Sequence, residues 1–171
     1  MVIEKKSRCV KMRLPNDKVV DVLDSVIEEI CCWLQDNSIK PESGGYIVGY
    51  QHKDTGNISL EAVSHPYKFD VRRRARFTIR DIRHRKFLAK AKRSMSYYMG
   101  VWHTHPQRIP IPSSIDWDDW QKTLEVDKPG GEYIFFIIAG TEEIRIWAGN
   151  IQSRIITEIF ECRRGDDGIY I

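Results

Sequence analysis

The 171-residue chain lacks the features that mark several large classes of protein. No apolar run approaches the length of a membrane-spanning helix, so no membrane partner is expected. The first residues are charged and lead into no apolar segment of the secretory type, which predicts a cytoplasmic location. None of the four cysteines belongs to a C-x-x-C pair. We therefore expect free, buried thiols, and neither a cysteine metal site nor a redox motif.

The chain also contains no internal repeat, low-complexity tract or linker-like segment, which predicts one domain over residues 1–171 with a core at about 19–162. Hydrophobic periodicity predicts helices over 19–34 (with Asp17 as N-cap), over 81–94, and from Ser113 or Ser114 to about Leu124. The expected buried stripe of the second helix is Ile82, Phe87, Leu88 and Ala91. Strands are predicted over 46–50, 58–63, 77–79, 97–103, 133–139, 143–148 and 154–162. Helices that alternate with strands indicate an α/β fold, a mixed sheet flanked by helices. The tail 163–171 is expected to be peripheral.

The net charge of +3 conceals a strong asymmetry along the chain. Residues 68–93 contain twelve Lys and Arg but only two Asp, and residues 66–76 are expected to form an irregular basic loop. Residues 116–143 contain eight acidic residues and two lysines. The basic segment is compatible with nucleic acid, with an acidic protein tail, or with a solvated helix face, which we favour beyond Arg80. Nucleic acid is the less favoured partner because no basic motif is interleaved with aromatic residues for base stacking.

The most informative motif is His103-Thr104-His105-Pro106, followed after six residues by Ser113 and after two more by Asp116. Two histidines one residue apart at the end of a strand lie on the same face. Asp116, at the start of the next helix, supplies an oxygen ligand. A hydrolytic zinc ion needs three protein ligands and one open position. The motif thus predicts one Zn²⁺ per chain, held by His103, His105 and Asp116.

Glu42 and Ser113 are the candidate catalytic residues. Glu42 lies in Pro-Glu-Ser-Gly-Gly-Tyr, where Gly44 and Gly45 allow other backbone to approach closely. A carboxylate beside zinc-bound water takes its proton and hands it to the leaving amine. Ser113 is expected to stabilise the oxyanion of the tetrahedral intermediate, although S-x-x-D is also an N-terminal capping pattern of helices and both roles can hold.

An upstream Glu with H-[ST]-H-P-x(6)-S-x-x-D resembles the JAMM/MPN-plus (Mov34/JAB) metalloprotease family, and this sequence matches every position. The resemblance implies a cytidine-deaminase-like α/β fold. It also implies zinc ligation by His103, His105 and Asp116, general acid–base chemistry by Glu42, and oxyanion stabilisation by Ser113. The implied reaction is hydrolysis of peptide or isopeptide bonds at the C-terminus of ubiquitin or a ubiquitin-like protein.

The similarity spans roughly residues 19–149 and looks like that of the small stand-alone bacterial members. It is similar to proteases that accompany E1- and E2-like enzymes, either in anti-phage operons, as with the CBASS-associated deconjugating type, or in ubiquitin-like conjugation operons. The implied partners are ubiquitin-like proteins or conjugates of E1- or E2-like enzymes, and the oligomeric state is open between monomer and dimer. An extended tail would bind a strand edge beside the zinc by β-augmentation, with Arg72, Arg73 and Arg74 contacting acidic residues of the substrate.

Three alternatives compete with the protease hypothesis. A non-catalytic scaffold of the same fold is expected to lack one or more ligands, and this chain lacks none. A zinc nucleobase deaminase requires H-x-E with P-C-x-x-C, which is absent. A DNA-associated relative of the RadC type shares the ligand set and is kept open by the basic segment, although the usual H-N-H-P-S-G is replaced by His-Thr-His-Pro-Gln-Arg.

Overall fold

The structure, a computed structural model, describes residues 9–37 and 39–162, so the tail predicted to be peripheral lies outside it. The helices are α1 (Asp24–Cys31), α2 (Ile82–Arg93) and α3 (Ser114–Val126). The strands are β1 (Val10–Arg13), β2 (Val19–Val22), β3 (Gly44–Gln51), β4 (Ile58–Val63), β5 (Val71–Arg73), β6 (Arg76–Thr78), β7 (Tyr97–Thr104), β8 (Tyr133–Ala139), β9 (Ile144–Asn150) and β10 (Ile156–Ile159). No helix in the described part of the chain is long and apolar enough to span a membrane.

Eight strands form one sheet in the order β1-β2-β4-β3-β7-β8-β9-β10, while β5 and β6 form a separate hairpin. The β2–β4 and β7–β8 pairs are parallel and the other pairs of the large sheet are antiparallel. The predicted mixed sheet is therefore confirmed. The predicted strands 58–63 and 133–139 coincide with β4 and β8.

Helices cover both faces of the sheet, which explains why β8 is buried at every position. Phe135 and Ile137 point into the cluster that contains the apolar side of α1. The alternate residues Ile134 and Phe136 pack against Trp120 of α3 on the other face. Helix α2 lies against β3 and β7, on the same face as α3.

The start of the predicted first helix is wrong. Val19–Val22 is a strand that pairs with β1 on one side and, in parallel, with β4 on the other. Helix α1 begins only at Asp24, with Leu23 at its N-cap position. Asp17 caps no helix but lies in the turn between β1 and β2 with a φ of 62°. Residues 19–34 carry helical spacing, but β-branched side chains favour the strand wherever partner strands are available.

Three smaller expectations are also corrected. Much of the predicted irregular loop 66–76 belongs to the β5–β6 hairpin. In α2, Ile82 is 63% exposed, and His84 is the fully buried residue. The four cysteines are free, as expected, but none is fully buried.

Candidate active site

The two histidines predicted as ligands lie at the C-terminal end of the central strand β7, beside Asp116. The Nε2 atoms of His103 and His105 lie 3.1 Å apart. One oxygen of Asp116 is 3.1 Å from Nε2 of His103, and the other is 3.5 Å from Nε2 of His105. One ligand atom from each residue can be chosen so that all three lie within 4.8 Å of one another. The three side chains therefore converge on one point.

This spacing fits a zinc ion. Ligand atoms at about 2.0–2.2 Å from a tetrahedral ion are separated from one another by about 3.3–3.6 Å. The three observed separations are close to that range, and two imidazole nitrogens with one carboxylate oxygen form a common catalytic ligand set that leaves a fourth position open. Burial and the neighbouring His103 lower the pKa of His105, which favours the neutral imidazole that binds metals.

Backbone pairing fixes the two histidines. His103 is the next-to-last residue of β7, where it pairs with Gly44 on one side and with Ile138 on the other. His105 follows the strand, and its backbone N–H donates to the carbonyl of Ala139. Because the neighbouring strands are central and buried, the ligands rest on the most rigid part of the fold.

The first turn of α3 fixes Asp116 through a capping box. The side chain of Ser113 accepts a hydrogen bond from the backbone of Asp116, and the carboxylate of Asp116 accepts from both the backbone and the hydroxyl of Ser113, at 2.6 and 2.7 Å. Ser113 is thus the predicted cap. Burial raises the pKa of Asp116, but hydrogen bonds from His103 and Ser113 outweigh it and hold that pKa below its usual range. Asp116 is therefore ionised and ready to bind a cation.

The Glu42 carboxyl faces the same cleft from the residue preceding β3 by two positions. The residue is only 7% exposed. Burial raises the pKa of Glu42 to about 7, with opposing contributions from His103, which lowers it, and Asp116, which raises it. A carboxyl with a pKa near neutrality is suited both to accept and to donate a proton.

The ligand trio, Glu42 and Ser113 line one cleft of about 650 Å³. From the metal end, the cleft runs along the sheet to Tyr46 and Asp127. One wall is the hairpin strand β6 and the residues after it, and the other wall is α3.

Comparison with known proteins agrees with this geometry. A model of prokaryotic homologues of the JAB domain matches residues 22–150, which contain the whole site. The chain belongs to the prokaryotic JAB family. The fold expectation drawn from the sequence is therefore confirmed, together with the suspected family.

Two curated relatives of this JAB protein carry the name CD-NTase/cGAS isopeptidase. The Vibrio cholerae protein is 28% identical over 145 residues, 83% of this chain and 88% of the relative. The Escherichia coli protein is 27% identical over 136 residues, 78% and 82% of the two chains. A solution structure of a Desulfitobacterium hafniense protein has the same fold, with a TM-score of 0.56 at 15% identity over 80% of this chain and 87% of that one.

The β5–β6 hairpin of the JAB domain lies directly over Glu42. The backbone N–H of Glu42 donates to the carbonyl of Arg73, and the backbone N–H of Phe77 hydrogen-bonds the Glu42 carboxylate. Gly44 makes this approach possible, since a Cβ there would lie 2.5 Å from the Phe77 ring. The close approach that the two glycines predicted is thus present.

The three arginines predicted to contact substrate have different environments. Arg72 is half-buried: it donates to the carbonyl of Glu42 at 3.1 Å and to the Ser43 hydroxyl at 2.6 Å, and it stacks on Trp33. Arg73 and Arg74 are exposed at the hairpin tip, and Arg74 lines the cleft. Within the structure, therefore, Arg72 supports Glu42, while the other two are free to meet a partner.

Sequence reasoning missed a buried network behind the ligands. Thr104, between the two histidines, accepts a hydrogen bond from the backbone of Ser43 at 3.0 Å and donates to Gln35 at 3.1 Å. Gln35 in turn donates to the carbonyls of Lys40 and Arg74. The network joins β7, which carries His103, to the tip of the β5–β6 hairpin. A buried hydroxyl between two ligands was the one available signal, and its partners are too far away in sequence to predict.

Proposed function

We propose that this chain is a zinc-dependent isopeptidase that cleaves the bond between the C-terminal residue of a conjugated protein and an amine of its target. The observation that carries the proposal is the convergence of His103, His105 and Asp116 in one cleft with the buried carboxyl of Glu42. The ionised Asp116 and the near-neutral pKa of Glu42 suit separate roles, one as a metal ligand and one as a proton carrier.

The proposed conjugated protein is a CD-NTase/cGAS protein, because both curated relatives are named CD-NTase/cGAS isopeptidase. A ubiquitin-like protein is the related substrate that the sequence motif suggests. Either conjugate presents a C-terminal tail, and the setting we propose is a bacterial anti-phage system. Cleavage would release the conjugated protein from E1- or E2-like enzymes or from its target.

In the proposed mechanism the residues of the chain orient the reactants and move a proton. His103, His105 and Asp116 would hold the zinc, which would supply an acidified water molecule and polarise the scissile carbonyl. The Glu42 carboxylate takes the proton of the attacking water and gives it to the leaving amine. Ser113 has two roles in the proposal: its hydroxyl holds Asp116, as the structure has it, and turns its hydrogen towards the developing oxyanion during the reaction.

The cleft wall formed by β6 suits an extended tail. Strand β6 pairs with β5 along one edge, and its other edge faces the cleft. A substrate tail that adds to this edge as a further strand would place its terminal carbonyl beside Glu42. Arg73 and Arg74, exposed at the hairpin tip, would then contact acidic residues upstream of that tail.

The first experiment measures zinc per chain in the purified protein and in His105→Ala. We expect about one zinc per parent chain and little in the variant, because loss of one of three ligands leaves too few to retain the ion.

Next, a CD-NTase fused through its C-terminus to a reporter protein is incubated with the zinc-loaded chain, with Glu42→Ala as the inactive control. Release of the reporter by the parent alone supports the proposal. A parent that binds no zinc when the metal is supplied would overturn it.

A further inference from the structure

The segment 68–93, which contains the hairpin and α2, presents charge of a single sign to solvent. Eleven of its twelve cationic side chains belong to exposed residues, and both of its carboxylates are inside, at 0% exposure for Asp70 and 1% for Asp81. The exposed cations are Lys68, Arg73, Arg74, Arg76, Arg80, Arg83, Arg85, Lys86, Lys90, Lys92 and Arg93. We call this set the basic surface.

Internal hydrogen bonds hold the two carboxylates away from the basic surface. Asp70 accepts from the backbone of Tyr67, Arg80 and Asp81 and from the ring of His84. The Asp81 carboxylate caps α2 and pairs with Arg83. In residues 9–37 and 39–162, Arg83 is the one member of the basic surface with an ion pair. The remaining cations are thus available to an outside partner.

The basic surface is continuous with the mouth of the candidate active site. Arg74 and Arg76 line the cleft itself. Helix α2 follows the hairpin, packs against β3 and β7, and contacts Tyr46, which lines the cleft, through the ring of His84. The charge of Arg85 partly offsets the rise that burial causes in the pKa of Tyr46. A 12-residue helix is about 18 Å long, so the surface extends well beyond the reacting bond. Its dimensions suit the body of a protein, not only a tail.

The opposite wall has the opposite sign. Helix α3 and the residue after it place Asp119 and Asp127 in the lining of the cleft. A nucleic acid backbone laid along the cleft would meet these carboxylates, and each such contact repels phosphate. A folded protein can present acidic residues to the basic surface alone, which favours a protein partner.

We propose that the basic surface docks an acidic surface on the body of the conjugated protein whose C-terminal tail occupies the cleft. This docking surface rests on the proposed isopeptidase function for the position of the tail. Complementary charge accelerates encounter and fixes orientation more than it changes the chemical step. Docking should consequently affect KM and the association rate, while kcat stays as the cleft residues set it.

The test reverses two charges on the exposed side of α2, Lys86→Glu with Lys90→Glu, one helical turn apart. With the CD-NTase fusion as substrate we expect kcat/KM to fall about tenfold at low salt, mostly through KM. The parent should lose this advantage between about 50 and about 300 mM salt because surface charges are screened. The matched control is Lys18→Glu with Lys53→Glu, an equal charge change at exposed lysines outside the basic surface.

Three further arms separate the outcomes. A peptide that contains the substrate tail alone should be cleaved equally by parent and variant. If the α2 variant cleaves the whole fusion as fast as the parent does, the docking surface is refuted and the isopeptidase function stands. If the parent cleaves nothing, the affinity of the CD-NTase fusion for the Glu42→Ala chain tests the docking surface instead. An affinity that changes neither with salt nor with the α2 substitutions would refute docking at this surface. Charge-dependent binding of a short DNA duplex, with unaltered protein binding, would assign the surface to nucleic acid instead.

Discussion

The metal-ligand trio and the Glu42 carboxyl face the same cleft, but separate elements support them. His103 and His105 stand at the end of β7, between two neighbouring strands of the large sheet, and Asp116 is fixed by the capping box of α3. Glu42 precedes β3 and is held in place by the hairpin, through Arg72, the carbonyl of Arg73 and the backbone of Phe77. The trio rests on the core, whereas Glu42 depends on an element with one face in solvent.

Under the proposed function, this difference predicts that metal binding and turnover can be changed separately. A change in the hairpin should move Glu42 by a fraction of an ångström without disturbing the ligands, since the sheet positions them independently. Catalysis is sensitive to displacements of this size, whereas the hairpin contacts none of the three candidate ligands directly through the bonds that hold Glu42.

The largest expected separation comes from Glu42→Gln, which keeps the size of the side chain and removes its ability to carry a proton. Turnover should fall by about 10²–10⁴-fold, the usual contribution of a general acid–base residue. Zinc content should stay at the parent level, because Glu42 is assigned no ligand role. Reporter release and zinc per chain are measured on the same preparation. Loss of zinc together with activity would make Glu42 a ligand and would break the comparison.

A smaller effect is expected for Arg72→Ala, which removes neither a candidate ligand nor the Glu42 carboxyl. Its guanidinium bonds the Glu42 carbonyl and the Ser43 hydroxyl and stacks on Trp33, so its loss frees the backbone under the carboxyl. We expect kcat to fall about tenfold with zinc retained, since displacements of the order of an ångström cost up to about a hundredfold.

Arg73→Ala is the matched control for Arg72→Ala, because the exposed Arg73 side chain makes no hydrogen bond or ion pair within the described residues. Its kcat should equal that of the parent, and any effect should appear in KM. Arg72→Lys should recover only part of the rate, as an ammonium cannot reproduce the two-pronged contact and the stacking. Equal kcat values in the parent and Arg72→Ala would show that the hairpin does not position Glu42.

The sequence predicted the convergence of His103, His105 and Asp116 better than it predicted the residues that support them. Both histidines, Ser113 and Asp116 are near one another in the chain, so their spacing alone indicated that they would lie together. The strand that carries His103 was predictable because its residues are mostly apolar and aromatic. A role for Glu42 as proton carrier could be predicted only from the family resemblance and its neighbouring glycines, because more than sixty residues separate Glu42 from His103, His105 and Asp116.

The support was harder to predict because it depends on pairings between distant residues. Strand β2 has helical spacing, and only its partners β1 and β4 determine its state. The hairpin is hidden in an arginine-rich run without the alternation that indicates strands. His84 belongs to no sequence motif, yet it is fully buried and forms hydrogen bonds with Ser64 and Asp70 at 2.8 and 2.7 Å. Such partners are set by tertiary structure, which local patterns do not contain.

The smallest effect on turnover is expected from a change at Asp70, at the base of the hairpin. This change should instead alter how the free energy of unfolding depends on pH. The Asp70 carboxylate accepts four hydrogen bonds in a fully buried position, from the backbone of Tyr67, Arg80 and Asp81 and from His84. Burial raises the pKa of Asp70, but these bonds outweigh burial and leave the pKa below its usual value. The titratable or charged groups that interact with Asp70 are Tyr46, Tyr67, Arg72, Arg83 and His84.

A carboxyl whose pKa is lower in the folded chain than in the unfolded chain stabilises the fold above its unfolded pKa of about 3.9, and this contribution disappears as the pH falls through the folded pKa. Asp70→Asn should therefore lower the free energy of unfolding by roughly 1–3 kcal/mol at neutral pH. The difference from the parent should be constant down to about pH 5 and shrink below about pH 4. Urea unfolding across this range measures it, with the exposed Asp118→Asn as control. A difference that grows as the pH falls would mean that the carboxyl is protonated in the folded chain, and the hairpin would then be fastened by something other than an ionised Asp70.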